Sequence, residues 1–460
     1  MLTYIIRRIL LMFPTLLGIT LVVFMVMAAS PGGITAQSLI EGQNLEPAAK
    51  KALADYYNKI YGLGDPAPVQ YLRWLNNLSP VGFTYDENSE INGFSLWKGI
   101  DLGKSFRYGR SVLDLIKENL PITLLLNLVS IPLIYLISIG VGVQAAIKRG
   151  QAFDVGTSVT MLGLWSIPTM LAGVLMIGFF ASEQYWHWFP TAGLSHREAL
   201  DMPFLPHWEN LSDVGMLFVS MLVGLFGFIG LAKLKNETMR VALFALVGAV
   251  LGYFMAASLP GVTSSFTYLF LMLSLSALIA VIAYSDYLAL RYSFIGLLGL
   301  LIGITVSVSY FDGAFTRGFL LDRLWHLFLP VLCLAYGSFA FLAKLTRTSV
   351  LENLMADFAR TARAKGVAED DVLWRHVFRN SLLPLITVSA SLLPGLLAGS
   401  VIVESIFSID GMGKLAVEAV KGRDRELVLS ITFVSGVLTL VGYLIADICY
   451  AIADPRVSYD

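Results

Sequence analysis

"RTARAKGVAEDDVLWRHVFRN", residues 360–380, packs four arginines, a lysine, a glutamate and two aspartates into a chain that is 56% hydrophobic and 14% charged. Soluble domains carry roughly 25% charged residues, so the chain reads as an integral membrane protein and this block as its exception. Leading into it, Leu351, Leu354, Met355, Phe358 and Ala362 recur at helical spacing on one stripe, with Glu352, Arg360 and Arg363 off it. Gly366 then stands where a helix ends on a left-handed residue, a conformation glycine adopts without steric cost. A second helix starts behind it. Glu369, Asp370 and Asp371 suit the positive end of a helix dipole and Arg375, His376 and Arg379 the negative end, with Pro384 marking its limit and opening the next apolar run. The expectation is two short helices hinged at a glycine on a membrane face. A helix resting on lipid headgroups would share the pattern; the acidic triplet and the small Ala362 and Ala364 favour a protein socket.

Outward from the block, ten stretches reach the roughly 20 apolar residues needed to cross the hydrocarbon layer: 9–29, 120–147, 155–181, 214–232, 241–259, 265–284, 293–310, 326–345, 384–404 and 429–452. Arg7 and Arg8 before the first stretch and "MAAS" after it give it some features of a secretory signal. Its apolar run exceeds the 7–15 residues of a signal core, so it reads as a retained span. With the start of the chain in the cytoplasm, the loops on that side carry sixteen basic residues against seven in the short outer loops. Nine more lie in 30–119, a segment long enough to translocate regardless of charge. Both termini and the charged block are therefore expected to be cytoplasmic, and 30–119 to be an outer-side domain of helical patterns such as "AAKKALADYYNKIYG" between turns (Pro31-Gly32-Gly33, Gly62 to Pro68).

A net charge of −1 gives no field that would draw nucleic acid. Cys333 and Cys449 lie far apart inside apolar runs, the usual setting of a buried, inert thiol. His187, His196 and His207 share one polar stretch at a spacing that matches no metal motif, so they read as loop residues and no metal site is expected.

The block followed by its sequel, "ARTARAKG" and then "LWRHVFRNSLLPLIT", resembles the cytoplasmic EAA loop of ATP-binding-cassette importer permeases in its dipeptide and oligopeptide variant. Further stretches are similar to the same family: "IIRRILLMFPTLLGIT" at the start, "PVQYLRWL" (68–75), "DLGKSF" (101–106), "VLDLIKENLPITLLL" (112–126), "FPTAGL" (189–194), "LPVLCLA" (329–335), "IFSIDGMGKLAVEAV" (406–420) and the terminal "DPRVSY". Together they cover roughly 1–200 and 322–460. The resemblance implies an all-α integral membrane protein with six core transmembrane helices of the type I importer permease fold and a small extracytoplasmic domain. It also implies half of a translocation pathway for peptides at the bacterial inner membrane, coupled to a separate ATPase through the loop.

On that reading the chain divides into a first span (1–29), the extracytoplasmic domain (30–119), core spans two and three (120–181), an extracytoplasmic loop (182–212), an inserted four-span segment (213–320), core span four (326–345), the coupling loop (346–383), and core spans five and six with the C-terminal tail (384–460). Residues 213–320 and 79–97 have no counterpart in the resemblance. An insert with an even number of spans keeps the coupling loop on the cytoplasmic side, and small-residue stripes such as Gly299/Gly303 suit peripheral packing. Carried over residue by residue, the ATPase-coupling positions are Phe358, Arg360, Thr361, Ala362, Arg363, Ala364, Lys365, Gly366 and Pro384. Arg360 and Thr361 depart from the first two consensus residues of the general loop, and Leu383-Pro384 lies further from the glycine.

No nucleotide site is expected on the chain itself. "GMGKL" (411–415) imitates a phosphate loop, but Ser408 replaces its first glycine and Leu415 its Ser/Thr. The resemblance places ATP and Mg on two partner ATPase subunits, makes this chain a non-enzyme that binds no cofactor, and adds a second related permease, an extracytoplasmic substrate-binding protein and membrane lipid as partners. The span 384–404 is the pore candidate, with Pro394, Gly395 and Gly399 permitting a break or close contact and Ser389 and Ser400 offering polar contacts; Asn127 and Gln144 are weaker candidates. Nickel or oligosaccharide import is the alternative within the family. An ion-coupled carrier is disfavoured because Lys344, Glu404, Asp286 and Asp447 all fall toward span ends rather than mid-membrane, and a non-transporting scaffold gives no reason for a hinged loop.

Overall fold

The computed structural model describes residues 2–30, 46–85, 91–259, 264–284, 288–310 and 313–453; within its helices the side chains of 390–399 lie outside that description. Among the described residues, eight helices are long and apolar enough to cross a membrane, or nine if one bent pair is counted as a span. The protein is thus a multi-pass, all-α membrane protein. Contacts divide it into two compact units, 1–173 with 330–460, and 174–329.

In the first unit, α1 (Leu2–Ala29) leads to α2 (Pro47–Tyr61), closed by Gly62 in the left-handed region, and α3 (Ala67–Leu78). An antiparallel pair of β1 (Gly82–Tyr85) and β2 (Ile91–Ser95) follows within the stretch 79–97. The turn Pro31-Gly32-Gly33 and the terminal "DPRVSY" lie outside the described residues. α3 stands on α1: the Tyr71 and Thr20 hydroxyls are 3.0 Å apart, and Tyr71 and Trp74 share a core with Phe24 and Leu429. α4 (Val112–Ile147) is longer than the expected 120–147 because Val112, Leu115 and Ile116 pack into the core of this end of the unit.

The expected straight span 155–181 is instead two helices, α5 (Ala152–Ser166) and α6 (Thr169–Met176, continued by a π turn to Ala181), bent by 94°. Pro168 causes the break. Its ring disfavours helical geometry in the preceding residue, and Ile167 is extended at φ −85°, ψ 122°.

The second unit holds β3 (His207–Trp208), α7 (Leu211–Ala232), α8 (Glu237–Ala257), α9 (Ser265–Tyr284), α10 (Leu288–Val308) and β4 (Phe315–Thr316). β3 and β4 pair antiparallel, so the chain enters and leaves the helical segment side by side. α7 pairs with α10 and α8 with α9 through backbone contact at glycines. A Cβ on Gly224 would stand 2.1 Å from the Gly299 carbonyl oxygen, one on Gly303 2.3 Å from that of Ser220, and one on Gly252 2.5 Å from that of Leu271. Buried Arg240 closes the inner pair by donating to the carbonyls of Ala283 (2.8 Å) and Leu234 (2.9 Å), groups left free at helix ends.

α11 (Gly318–Met355) exceeds the expected 326–345 and absorbs Leu351, Leu354 and Met355. The chain breaks at Ala356 (ψ 155°), so the helix expected to couple, α12, is Asp357–Ala364, shorter than the stripe suggests. Beyond Gly366 come a turn (Glu369–Asp371), a π segment (Val372–Val377) and α13 (Phe378–Ile406). Pro384 therefore lies inside α13 and does not bound it, as membrane helices tolerate. α14 (Met412–Lys421) and α15 (Arg425–Ala453) complete the chain. Cys333 is buried, but Cys449 is exposed on α15; an apolar run in a membrane helix can face hydrocarbon as readily as the bundle.

Candidate functional site

The charged block folds into a closed cap over one end of the first unit. α12 ends in a Schellman motif, with Val367 N–H donating to Ala362 O (3.2 Å), Gly366 N–H to Arg363 O (2.9 Å), and Gly366 at φ 76°. The accompanying apolar contact is present too. Ala359 and Ala362 turn inward onto Val350, Val372, Leu373 and Val377, with Val367 beside them, and the cluster closes on Val143 and Ala146 of α4. Any larger side chain at 359 or 362 would lift the helix, which is why small residues stand there.

Hydrogen bonds fasten the base of this cap. Ser349 Oγ donates to Ser381 O (3.2 Å), Asn353 Nδ2 to Ser381 Oγ (3.1 Å), and Arg363 bonds Glu369 (2.9 Å) and the Leu354 carbonyl (3.2 Å). Beneath it, Arg347 holds Asp154 in a two-point ion pair, one arm at 2.8 Å, while Asp154 also accepts from Gly150 N–H at 2.9 Å. Gly142 lets α4 touch α11, since a Cβ there would meet Thr346 at 2.5 Å. Arg149 reaches Met355 Sδ at 3.5 Å. The cap is thus tied at several points to α4, α11 and α13, with Asp154–Arg347 joining α5 to α11 beneath it.

Of the expected coupling residues, Phe358, Arg360, Thr361, Ala364, Lys365 and Gly366 are exposed, forming an outward face with Asp357. Arg360 is 72% exposed and pairs only loosely with Asp357 at 3.7 Å. Ala362 and Arg363 are different: the first is core, and the second spends its donors inside the cap. Pro384 lies on the adjoining helix.

At the opposite end of the unit, the phosphate-loop imitation has its own occupant. Glu404, fully buried, accepts from Thr123 Oγ1 (2.7 Å) and Lys414 N–H (3.0 Å), and Thr123 Oγ1 in turn accepts from Met412 N–H (2.8 Å). The glycines of "GMGK" make room for it, since a Cβ on Gly411 would lie 2.4 Å from the Glu404 carboxyl carbon. The start of α14 therefore receives a carboxylate of the chain itself, the charge a helix N-terminus attracts. Beside it, Asp424 caps α15 through Leu427 N–H (3.2 Å) and accepts from Ser105 Oγ (2.5 Å) and Arg107 N–H (3.2 Å). Burial pushes its carboxyl up from the usual carboxylate range, against those hydrogen bonds. Burial, together with the bond to Glu418, likewise pushes the Tyr108 phenol up to about 12.

The pore candidates are spread along α13. Ser389 is half-buried and donates to the Ile386 carbonyl (2.6 Å), and Ser400 is fully buried beside Glu404 and hydrogen-bonded to it. The side chains of Pro394, Gly395 and Gly399 lie outside the described residues. Asn127 is buried and donates to Thr123 O within its own helix (2.7 Å), so it bridges no pair of helices through that amide. Sequence reasoning missed Glu404, Thr123, Asp154, Arg347, Ser349 and Ser381. The ties Thr123–Glu404, Asp154–Arg347, Ser349–Ser381 and Asn353–Ser381 join positions 28 to 281 residues apart, and the local signal is the pair Gly411 and Gly413 after Asp410.

Two family models match the chain: "Binding-protein-dependent transport system inner membrane component" over residues 244–459 and the N-terminal model of the same membrane component over 1–127. The first begins inside α8, so part of the four-helix segment falls within the family match. Oligopeptide transport system permease protein AppB of Bacillus subtilis (strain 168) is 30% identical over 460 residues, covering 100% of both chains. Inner membrane ABC transporter permease protein YejB of Escherichia coli O157:H7 is 26% identical over 472 residues, covering 99% of both. Dipeptide transport system permease protein DppB of Bacillus subtilis (strain 168) is 39% identical over 133 residues, 29% of this chain and 43% of that one. With that breadth of match and a rigid cap at one end of a bundle of membrane helices, the chain belongs to the family of binding-protein-dependent ABC transporter inner-membrane permeases.

Proposed function

We propose that this chain is one half of the pathway of an ABC importer for peptides, driven by two separate ATPase subunits that grip its cap. The carrying observation is the division of labour in α12. Its inward alanines and Arg363 fuse it to the bundle, and its outward Phe358, Arg360, Thr361, Ala364 and Lys365 are left for a partner. ATP and Mg sit on the partners, and closure of the two ATPases pushes on this face. The push passes through Val350, Val372 and Val377 into α11 and α13 and through Val143 into α4, which tilt together between inward-open and outward-open arrangements. The chain has no catalytic step of its own.

Peptide as the substrate class rests on the names of the relatives. A second related permease completes the pathway, and an extracytoplasmic binding protein delivers to the face bearing residues 30–119. The basic-residue bias supports a cytoplasmic placement of both termini and the cap, and the description of the matching family supports the bacterial inner membrane. The four-helix segment reads as an insertion because β3 and β4 bring its ends together.

The test is co-purification of the full complex from cells expressing all subunits. Phe358→Asp and Arg360→Glu should each strip the ATPase from an otherwise folded permease and abolish peptide-stimulated ATP hydrolysis in proteoliposomes. Retained ATPase in both variants sinks the docking reading. Labelling of Lys365→Cys by an impermeant maleimide from outside the cell sinks the orientation.

A further inference from the structure

Three side chains away from the cap meet where the polar stretch after the π turn crosses the first turns of α11. Asp322 and His326 are four residues apart and share one helix face; His196 joins them from 126 residues earlier in sequence. Asp322 and His326 have side chains 0% and 2% exposed, against 45% for His196. His196 Nδ1 lies 2.8 Å from Asp322 Oδ1, and its backbone N–H donates to Oδ2 at 2.9 Å. His326 Nδ1 is 3.5 Å from Oδ2 and 2.8 Å from the Asp322 carbonyl oxygen. The two imidazoles meet edge to face with centroids 4.5 Å apart, and one ligand atom from each of the three residues lies within 4.8 Å of the other two.

The backbone around them is held on both sides. Phe319 N–H donates to Pro203 O and Leu320 N–H to Phe204 O, each at 3.0 Å, and Gly318 at φ 69° brings the helix start against Leu205. Donor atoms fixed in this way need little reorganisation on binding.

We propose that His196, Asp322 and His326 form a binding site for a transition-metal dication of the zinc class, which pins the polar stretch to the start of α11. Two imidazoles and one carboxylate form a donor set that suits zinc, cobalt or nickel, whereas calcium and magnesium want oxygen throughout. Zinc bonds to nitrogen of about 2.0–2.1 Å put tetrahedral donors roughly 3.3 Å apart, so side-chain rotations of about an ångström close the triad. The ion takes the place of the hydrogen bond between His196 Nδ1 and Asp322 Oδ1, and the imidazole ligates in its neutral form through Nδ1 with its one proton on Nε2. Water on the exposed edge of His196 fills the remaining position. Arg317, with Nε 3.2 Å from Asp322 Oδ1 and its side chain 36% exposed, is the competitor. It neutralises the buried carboxylate without the ion and swings into solvent when the ion binds.

The experiment uses full-length protein purified in detergent without a histidine tag, with Zn2+ bound per chain measured by atomic emission and Co2+ read by its visible d–d absorption. Wild-type protein should take up one ion per chain at micromolar concentration and show a tetrahedral Co2+ spectrum. His326→Gln should weaken binding by about 100-fold or more. His196→Gln, at the exposed corner, should do likewise with thermal stability retained, so that a folding failure at His326 leaves the test intact. Arg317→Ala should bind several-fold more tightly. His376→Gln, on the cap, should change nothing. A folded wild-type protein that takes up no Zn2+ or Co2+, or uptake that survives both His196→Gln and His326→Gln, overturns the proposal.

Discussion

The cap end of the first unit and the helical pairs of the second solve the same problem with different weights on the same two devices. In hydrocarbon, apolar surface gains nothing by leaving lipid for protein, so helices are joined by close packing or by polar contacts. The pairs α7/α10 and α8/α9 rely mainly on the first. Glycines at 224, 299, 303, 248 and 252 let backbones touch, and the described helix faces away from those seams are largely exposed apolar residues such as Phe218, Leu222 and Phe226. The cap end relies more on the second, with Asp154–Arg347, Ser349–Ser381 and Asn353–Ser381 crossing between elements distant in sequence. Backbone contact at a glycine seam leaves no room for a larger side chain. Side-chain ties can bend and re-form, which suits the part of the chain proposed to transmit motion.

That contrast can be broken from either side. The largest loss should come from Gly299→Leu, whose side chain must enter the Gly224 carbonyl. About 3 kcal/mol of destabilisation is expected, seen as early proteolysis within 174–329 while the cap still retains the ATPase; loss of ATPase retention would show that the helical pairs are not independent of the cap. Glu404→Ala comes next, at about 2–3 kcal/mol, because Lys414 N–H and the Thr123 hydroxyl lose a buried acceptor. Glu404→Gln should recover part of that in thermal unfolding. Asp154→Asn should cost about 2 kcal/mol, below the full penalty for breaking a buried pair because Arg347 is 26% exposed. Ser381→Ala should cost about 1 kcal/mol, and a null effect there would mean that the base of the cap is held by apolar packing alone. Phe358→Ala should move stability by no more than about 0.5 kcal/mol yet lower ATPase stimulation, the sharpest separation of folding from coupling.

Much of this architecture was legible because membrane helices are written as long apolar runs. Gly366 was legible as well, since its place after the charged helix demanded a left-handed residue. Where the reading failed, the causes are local and physical. Leu351 to Ala362 lie on one stripe, but the chain turns at Ala356, which has no capping side chain and no proline to announce it. Pro384 was read as a boundary although α13 runs straight through it, whereas Pro168, inside a run read as continuous, does break its helix. The polar ties escaped notice because Asp154 and Arg347, or Thr123 and Glu404, show nothing in sequence that points each to the other. His326 stands in an apolar run 130 positions from His196, so nothing in the local sequence links the two.

The short ladder of His207–Trp208 against Phe315–Thr316 has a consequence for how such a chain can be rearranged. Neighbouring strands lie about 4.8 Å apart, a gap that a two-residue turn closes. The described helices between Leu211 and Val308 lie between the two strands of this ladder, so a deletion of the segment closed by a two-residue turn is expected to keep the register His207–Thr316 and Trp208–Phe315.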